Sequence, residues 1–230
     1  MTAIERIKAA SLELWPAWGS DRIEALQKQV GLPLPNELRE VLSFCSGIDG
    51  CLGGIDFTGE MAMAYEQKEA FPNGLPIAAD GCGNFWVLDI TPETSLAAPV
   101  FFACHDAPVI LYQSADIASF LAEVFRMMIP PRKSLINDVL GDRLFHVWRK
   151  NPGVVDQAAA ATSSDPELRK FAAGLREHFQ IVDLRAVSPG MGFSWGRYGP
   201  RTEVRRHGYQ RIFGYAKPLK TGFLAGLFGR

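Results

Sequence analysis

Apolar positions recur at helical spacing from the start of the chain. Over residues 3–14, Ile4, Ile7 and Leu14 share one face, until Trp15, Pro16, Trp18 and Gly19 interrupt it. Ser20 or Asp21 is placed to cap a second helix that would bury Ile23, Leu26 and Val30 and end at Gly31. The prolines of Leu32-Pro33-Leu34-Pro35-Asn36 hold the next stretch extended and can start a third helix. Its stripe is Leu38, Val41, Leu42 and Cys45, and it stops at Gly47 before an Asp49-Gly50 turn. A short strand is predicted at Ile55-Asp56-Phe57, and a helix over residues 60–70 that Pro72-Asn73-Gly74 ends.

The period then changes to two. Leu75, Ile77 and Ala79 alternate, as do Phe85, Val87 and, less cleanly, Asp89. Asp80-Gly81-Cys82-Gly83-Asn84 between them has the glycines a hairpin turn needs. Residues 99–104 and 108–112 predict a second strand pair around His105-Asp106-Ala107. Ser114 is read as the cap of a strongly amphipathic helix bearing Ile117, Phe120, Leu121, Val124, Phe125 and Met128. After a break at Pro130-Pro131, one helix is expected over 134–149, with Ile136, Val139, Leu140, Leu144, Val147 and Trp148 apolar. Asp165-Pro166-Glu167 is a helix start with capping side chain, N1 proline and acidic first turn, followed by Leu168, Phe171, Leu175 and Phe179 on one face. A strand over 181–187, one or two hairpins over 191–216 and an apolar tail ending in Gly222–Phe228 complete the chain. Helices first, then Gly-turned strands, then a closing helix argue for an α+β fold with a mostly antiparallel sheet. Residues 1–129 read as one domain. Residues 130–230 read as a C-terminal helix-plus-hairpin α+β extension packed on it, since no linker separates them.

Composition excludes several classes. With 230 residues, 47% hydrophobic and 21% charged, the chain is neither disordered, collagen-like nor coiled coil. No stretch approaches the ~18 apolar residues of a membrane span, and Glu5, Arg6 and Lys8 interrupt the N-terminal apolar positions, unlike a secretory signal. Cys45, Cys51, Cys82 and Cys104 form no C-x-x-C pair and read as reduced thiols of a cytoplasmic protein. Charge is uneven: residues 1–183 carry 15 basic and 24 acidic side chains, residues 184–230 carry nine and one. The basic segment either packs on the acidic part or meets phosphate. The first is preferred, because the opposite charges are already tethered.

Candidate chemistry is sparse. Cys104-His105-Asp106 holds a nucleophile, a base and an acid, but neighbours on a strand point to opposite faces. His105, His146, His178 and His207 show no metal-ligand spacing, so no metal is expected. The Asp80–Asn84 loop lacks the lysine and hydroxyl of a phosphate loop. Asp49, Asp56 and Glu60 read as solvated or turn-forming acids. Trp195, Tyr198, Tyr209, Phe213 and Tyr215 interleave with Arg197, Arg201, Arg205, Arg206 and Arg211. That composition suits internal packing, a protein interface or nucleic acid, the last disfavoured by the pI near 6.4. Trp195, Arg197, Arg201, Arg205 and Arg206 are taken as a secondary basic and aromatic surface.

The order of signals over residues 20–128 resembles the SUKH superfamily, which includes fungal cell-wall-assembly regulators and bacterial toxin-immunity proteins. The resemblance lies in Leu32-Pro33-x-Pro35-x-x-Leu38-x-x-Val41-Leu42, Ser46-Gly47-Ile48-Asp49-Gly50, Leu75-Pro76-Ile77-Ala78-x-Asp80-Gly81-x-Gly83-Asn84, Val87-Leu88-Asp89, Val100-Phe101-Phe102-x-x-His105-Asp106 and Ala115-x-x-x-Ser119-Phe120-Leu121. It implies helices packed on a curved antiparallel sheet, a protein-binding role without catalytic residues or cofactor, and, for bacterial members, neutralisation of a polymorphic toxin in the cytosol. A regulator or scaffold binding host proteins is the alternative. On this reading Asp49, Asp80 and Asp106, each in a turn, make first contact with a basic partner. The resemblance says nothing of residues 130–230.

Overall fold

The computed structural model describes residues 1–60, 68–199 and 201–218. Three helices come first: α1 (Ala3–Ala10), α2 (Ser20–Val30) and α3 (Asn36–Phe44). Six strands follow: β1 (Gly47–Ile48), β2 (Ile55–Asp56), β3 (Gly74–Ala79), β4 (Phe85–Asp89), β5 (Val100–Cys104) and β6 (Val109–Ser114), and then α4 (Ile117–Met128). The remainder forms α5 (Leu135–Leu140), α6 (Asp142–Lys150), β7 (Val154–Asp156), α7 (Gln157–Ala161), α8 (Pro166–Ala173), β8 (Phe179–Asp183), β9 (Gly192–Ser194), β10 (Val204–Arg206) and β11 (Ile212–Ala216). The class is α+β, with two open antiparallel sheets. No helix among the described residues is long and apolar enough to cross a membrane. Most of the helix expected over 60–70 lies outside the described residues, and residues 68–70 are in turns. The apolar tail, from residue 219 onward, also lies outside them.

Local chemistry explains where the elements begin and end, and it corrects several expectations. Thr2 and Glu5 form a reciprocal capping box on α1. Gly19, not Ser20 or Asp21, is the N-cap of α2, without a side-chain hydrogen bond, and Gly31 closes the helix at φ 81°. The cap of α4 is Asp116, whose Oδ1 accepts from the Ser119 N–H at 2.6 Å. Ser114 ends β6 instead and donates its hydroxyl to the Asp116 carbonyl. The single helix expected over 134–149 is two, split at Gly141. Asp165 caps α8 as expected, accepting from Glu167 and Leu168, but that helix ends at Ala173, and Phe179 belongs to β8.

The larger sheet has the order β1-β2-β3-β4-β5-β6-β9. Both of its faces are apolar, because both are covered. One face sends Trp86, Leu88, Phe102, Val109 and Leu111 against the first four helices. Trp86 packs on Phe102 and Phe120 at ring separations of 4.8 and 6.2 Å. The opposite face sends Val87, Phe101, Ala103, Ile110 and Tyr112 into a second core shared with Val182, Leu184, Phe213 and Tyr215. Those last four come from the smaller sheet and its flank, in the order β10-β11-β8-β7. The extension also supplies β9, which pairs with β6 through Val109↔Ser194, Ile110↔Phe193 and Leu111↔Gly192. The 191–216 segment is thus one strand added to the larger sheet followed by one hairpin. A Cβ on Gly192 would lie 1.9 Å from the Ile110 carbonyl oxygen, so only glycine lets β9 approach this closely.

Polar bonds lock the layers together. Glu37 on α3 accepts from the N–H groups of Ile117 and Ala118 at 3.0 and 2.9 Å, capping α4 from 80 residues away. Asn151, left-handed at the end of α6, donates to the Tyr215 hydroxyl and accepts from the Ser194 N–H, and Tyr215 donates onward to Gln180.

Candidate binding surface

An antiparallel meander places alternate turns at the same end. The β1–β2, β3–β4 and β5–β6 turns therefore share one edge of the larger sheet, and each holds one of the expected acids: Asp49, Asp80 and Asp106. The stretches 49–54, 80–84 and 105–108 contain no Lys or Arg. Ser194, paired with Val109, brings the chain after β9 to this end as well, and the Gly196 N–H donates to the Pro108 carbonyl.

The three acids differ in what holds them. Asp80 accepts from the Cys82 and Asn84 N–H groups at 2.8 and 3.2 Å and from the Asn84 amide at 2.6 Å, so its carboxylate closes its own turn. Asn84 reaches on to the next turn, where its Oδ1 lies 3.0 Å from both the backbone N and the ring Nδ1 of His105. The other ring nitrogen of His105 lies 3.1 Å from Asp106, which is exposed. Asp80, Asn84, His105 and Asp106 thus form one chain of polar contacts joining two turns. Gly83 sits under this chain at φ +88°, where a Cβ would meet the His105 ring at 2.8 Å. Asp49 is half-buried, and its N–H donates to the Glu13 carbonyl. Its charge and, above all, burial push the neighbouring Cys51 thiol up to about 11.

The basic and aromatic residues differ in exposure and in partners. Arg206 is buried and makes a bidentate pair with Asp89 of β4 at 2.7 and 2.8 Å, also donating to the carbonyls of Ala70, Tyr209 and Gln210. Arg205 is exposed and pairs with Glu203. Trp195 is half-buried, its ring beside the second core. Arg197 is exposed and donates to the Arg149 carbonyl, while Arg201 is exposed without a polar partner among the described residues. Arg185 pairs with Asp165 and Asp183, and Lys217 with Asp156. Of the basic residues described in this segment, Arg185, Arg205, Arg206 and Lys217 pair with acids of the chain, while Arg197 and Arg211 donate to carbonyls.

Cys104 and His105 engage different partners. Burial raises the Cys104 thiol, which lies against the backbone N–H groups of Ala107 and Asp106, while His105 engages Asn84 and Asp106. Among the described residues no three His, Cys, Asp or Glu side chains converge as metal ligands. The sequence reading did not single out Asn84 as the link between turns, although its place at the end of the Asp-Gly-x-Gly-Asn stretch was a visible signal. It assigned Trp148 to an apolar face, yet Trp148 and Phe145 of α6 are 40% and 46% exposed.

Residues 19–123 match the family model described as SMI1 / KNR4 family (SUKH-1). This segment is therefore similar to the SUKH superfamily. The SUKH match spans α2 to α4 and all three acidic turns, a little under half the chain. Neither the curated proteins nor the solved structures yield a match to this chain.

Proposed function

We propose that this SUKH-like protein is a non-enzymatic binding module that acts in the bacterial cytosol as an immunity protein, neutralising a polymorphic toxin by direct contact. The observation that carries the reading is the acidic end of the larger sheet: three turns, three carboxylates and no cation within the turns. Charges at a rim mainly accelerate encounter, whereas buried anchors set residence time. Asp106 and Asp49 are the contacts offered to a basic, nuclease-like partner, and Asp80 shapes the turn that presents them.

The test is titration calorimetry of the purified chain with the toxin domain encoded by the neighbouring gene. A one-to-one complex is expected, and Asp49→Lys with Asp106→Lys should slow association by about tenfold at low salt. No complex, with no protection of cells expressing the toxin, sinks the immunity reading and favours a regulator of host proteins. A complex untouched by the double substitution moves the interface away from this end.

A further inference from the structure

A groove of about 660 Å3 lies along α1 and α4, with Pro130 and Pro131 in its lining. Ala10, Leu12, Phe125, Met128 and Ile129 give it an apolar lining, and Ile129 is 64% exposed. Two guanidinium groups line it as well, those of Arg6 and Arg126. Arg126 is engaged by Glu123, whose second oxygen is held by the Leu135 N–H. Arg6 has no ion pair among the described residues, and its Nε is shielded from solvent without a hydrogen-bond partner. A carboxylate is the group that matches a guanidinium without a counter-ion. Arg132 and Lys133, exposed immediately beyond Pro131, extend the positive charge along the chain.

We propose that this groove is a docking site for a peptide segment of a partner protein that combines apolar side chains with carboxylates. The apolar side chains would cover Leu12, Phe125 and Ile129, and one carboxylate would pair with Arg6. The choice of a peptide over nucleic acid follows from the apolar floor, which offers no stacking platform beyond Phe125. The site is separate from the acidic turns, so the failure of either reading leaves the other standing.

A random-peptide phage library selected on the immobilised full chain tests the proposal. Enriched peptides should carry at least one Asp or Glu among spaced apolar residues. The leading peptide, made synthetically and labelled, should lose about tenfold or more in affinity to Ile129→Asp and to Arg6→Glu by fluorescence anisotropy. Both positions are at least partly exposed, and circular dichroism checks that each variant keeps its fold. Arg6→Gln, which keeps a donor but removes the charge, should fall between. No enrichment over the Ile129→Asp protein, enriched peptides lacking acids, or equal binding to Arg6→Glu would overturn the proposal. Tighter peptide binding after removal of residues 219–230 would also overturn it, by making the chain's own tail the occupant.

Discussion

Arg206 and Asp89 lie 117 residues apart in sequence, yet their side chains are 3% and 2% exposed and joined by two short hydrogen bonds. Burial pushes the Asp89 carboxyl up, and Arg206 pulls it back down. Removing one partner of such a pair leaves a buried charge uncompensated, at a cost of about 3–5 kcal/mol. Arg206→Ala should therefore lower the unfolding free energy by about that much in urea titration, whereas Arg206→Met combined with Asp89→Leu should recover most of it. A loss below about 1 kcal/mol would mean that the pair is no more than a surface ion pair. The sequence placed Arg206 on a surface because arginines are mostly exposed. Strand alternation would have separated Arg205 from Arg206, but not which of the two points inward. Thiol chemistry is decided at the same scale. Burial pushes Cys45 and Cys51 up to about 11 and raises Cys104, while Cys82 is exposed in its turn. One thiol, Cys82, should react with a disulfide reagent within minutes near pH 8 and the other three only on unfolding. A fast phase that survives Cys82→Ser would contradict this.

Elements of the extension are held together by ion pairs to a greater degree than the larger sheet. The carboxyl of Asp156 is lowered by Lys217, that of Glu167 by His207 and that of Glu203 by Arg205. The Asp165 carboxyl is lowered by the Leu168 N–H that it caps and by Arg185. Each titrates lower in the folded chain than in the unfolded one. Their stabilisation is thus complete above the ordinary carboxylate range, about pH 4, and is lost as pH falls through the lowered values. Amide exchange should show protection factors in β8 and β11 falling as pH drops below about 4, ahead of those in β4 and β5. Simultaneous loss in both sheets would show that they open as one unit. Elements with long periodic signals, such as α3, α4 and the β3–β4 hairpin, were legible from the sequence. Those set by a partner were not: β9 has three residues and no periodic signature, and it exists because the edge of β6 is free to pair with it.

At the scale of the whole molecule, the larger sheet is covered twice, by α1–α4 together with α5 and α6 on one face and by the smaller sheet on the other. The division at residue 129 is therefore a proposal with a physical consequence. A chain ending there would expose Val87, Phe101, Ala103, Ile110 and Tyr112 to water, at about 1.5–3 kcal/mol for each large side chain. Residues 1–129 alone should bind a hydrophobic dye and self-associate on size exclusion, while the full chain does neither. A monodisperse fragment without dye uptake would establish residues 1–129 as an independent unit. The acidic turns were legible in part: Asp-Gly and Asn signals fix turns locally, so each acid could be placed at a strand end. Their meeting at one edge depends on strand order, and the Asn84–His105 bridge depends on two hairpins lying side by side. The sequence alone determined what short-range sterics and periodicity encode, namely the helices of the first half, the hairpin turns and an α+β chain of SUKH type. The tertiary structure decided what long-range pairing encodes: that Arg185, Arg206 and Lys217 find acids elsewhere in the chain, that the Arg206 side chain is buried, and that the extension adds β9 to the larger sheet. The reason is that contacts between residues far apart in sequence leave no local periodic trace.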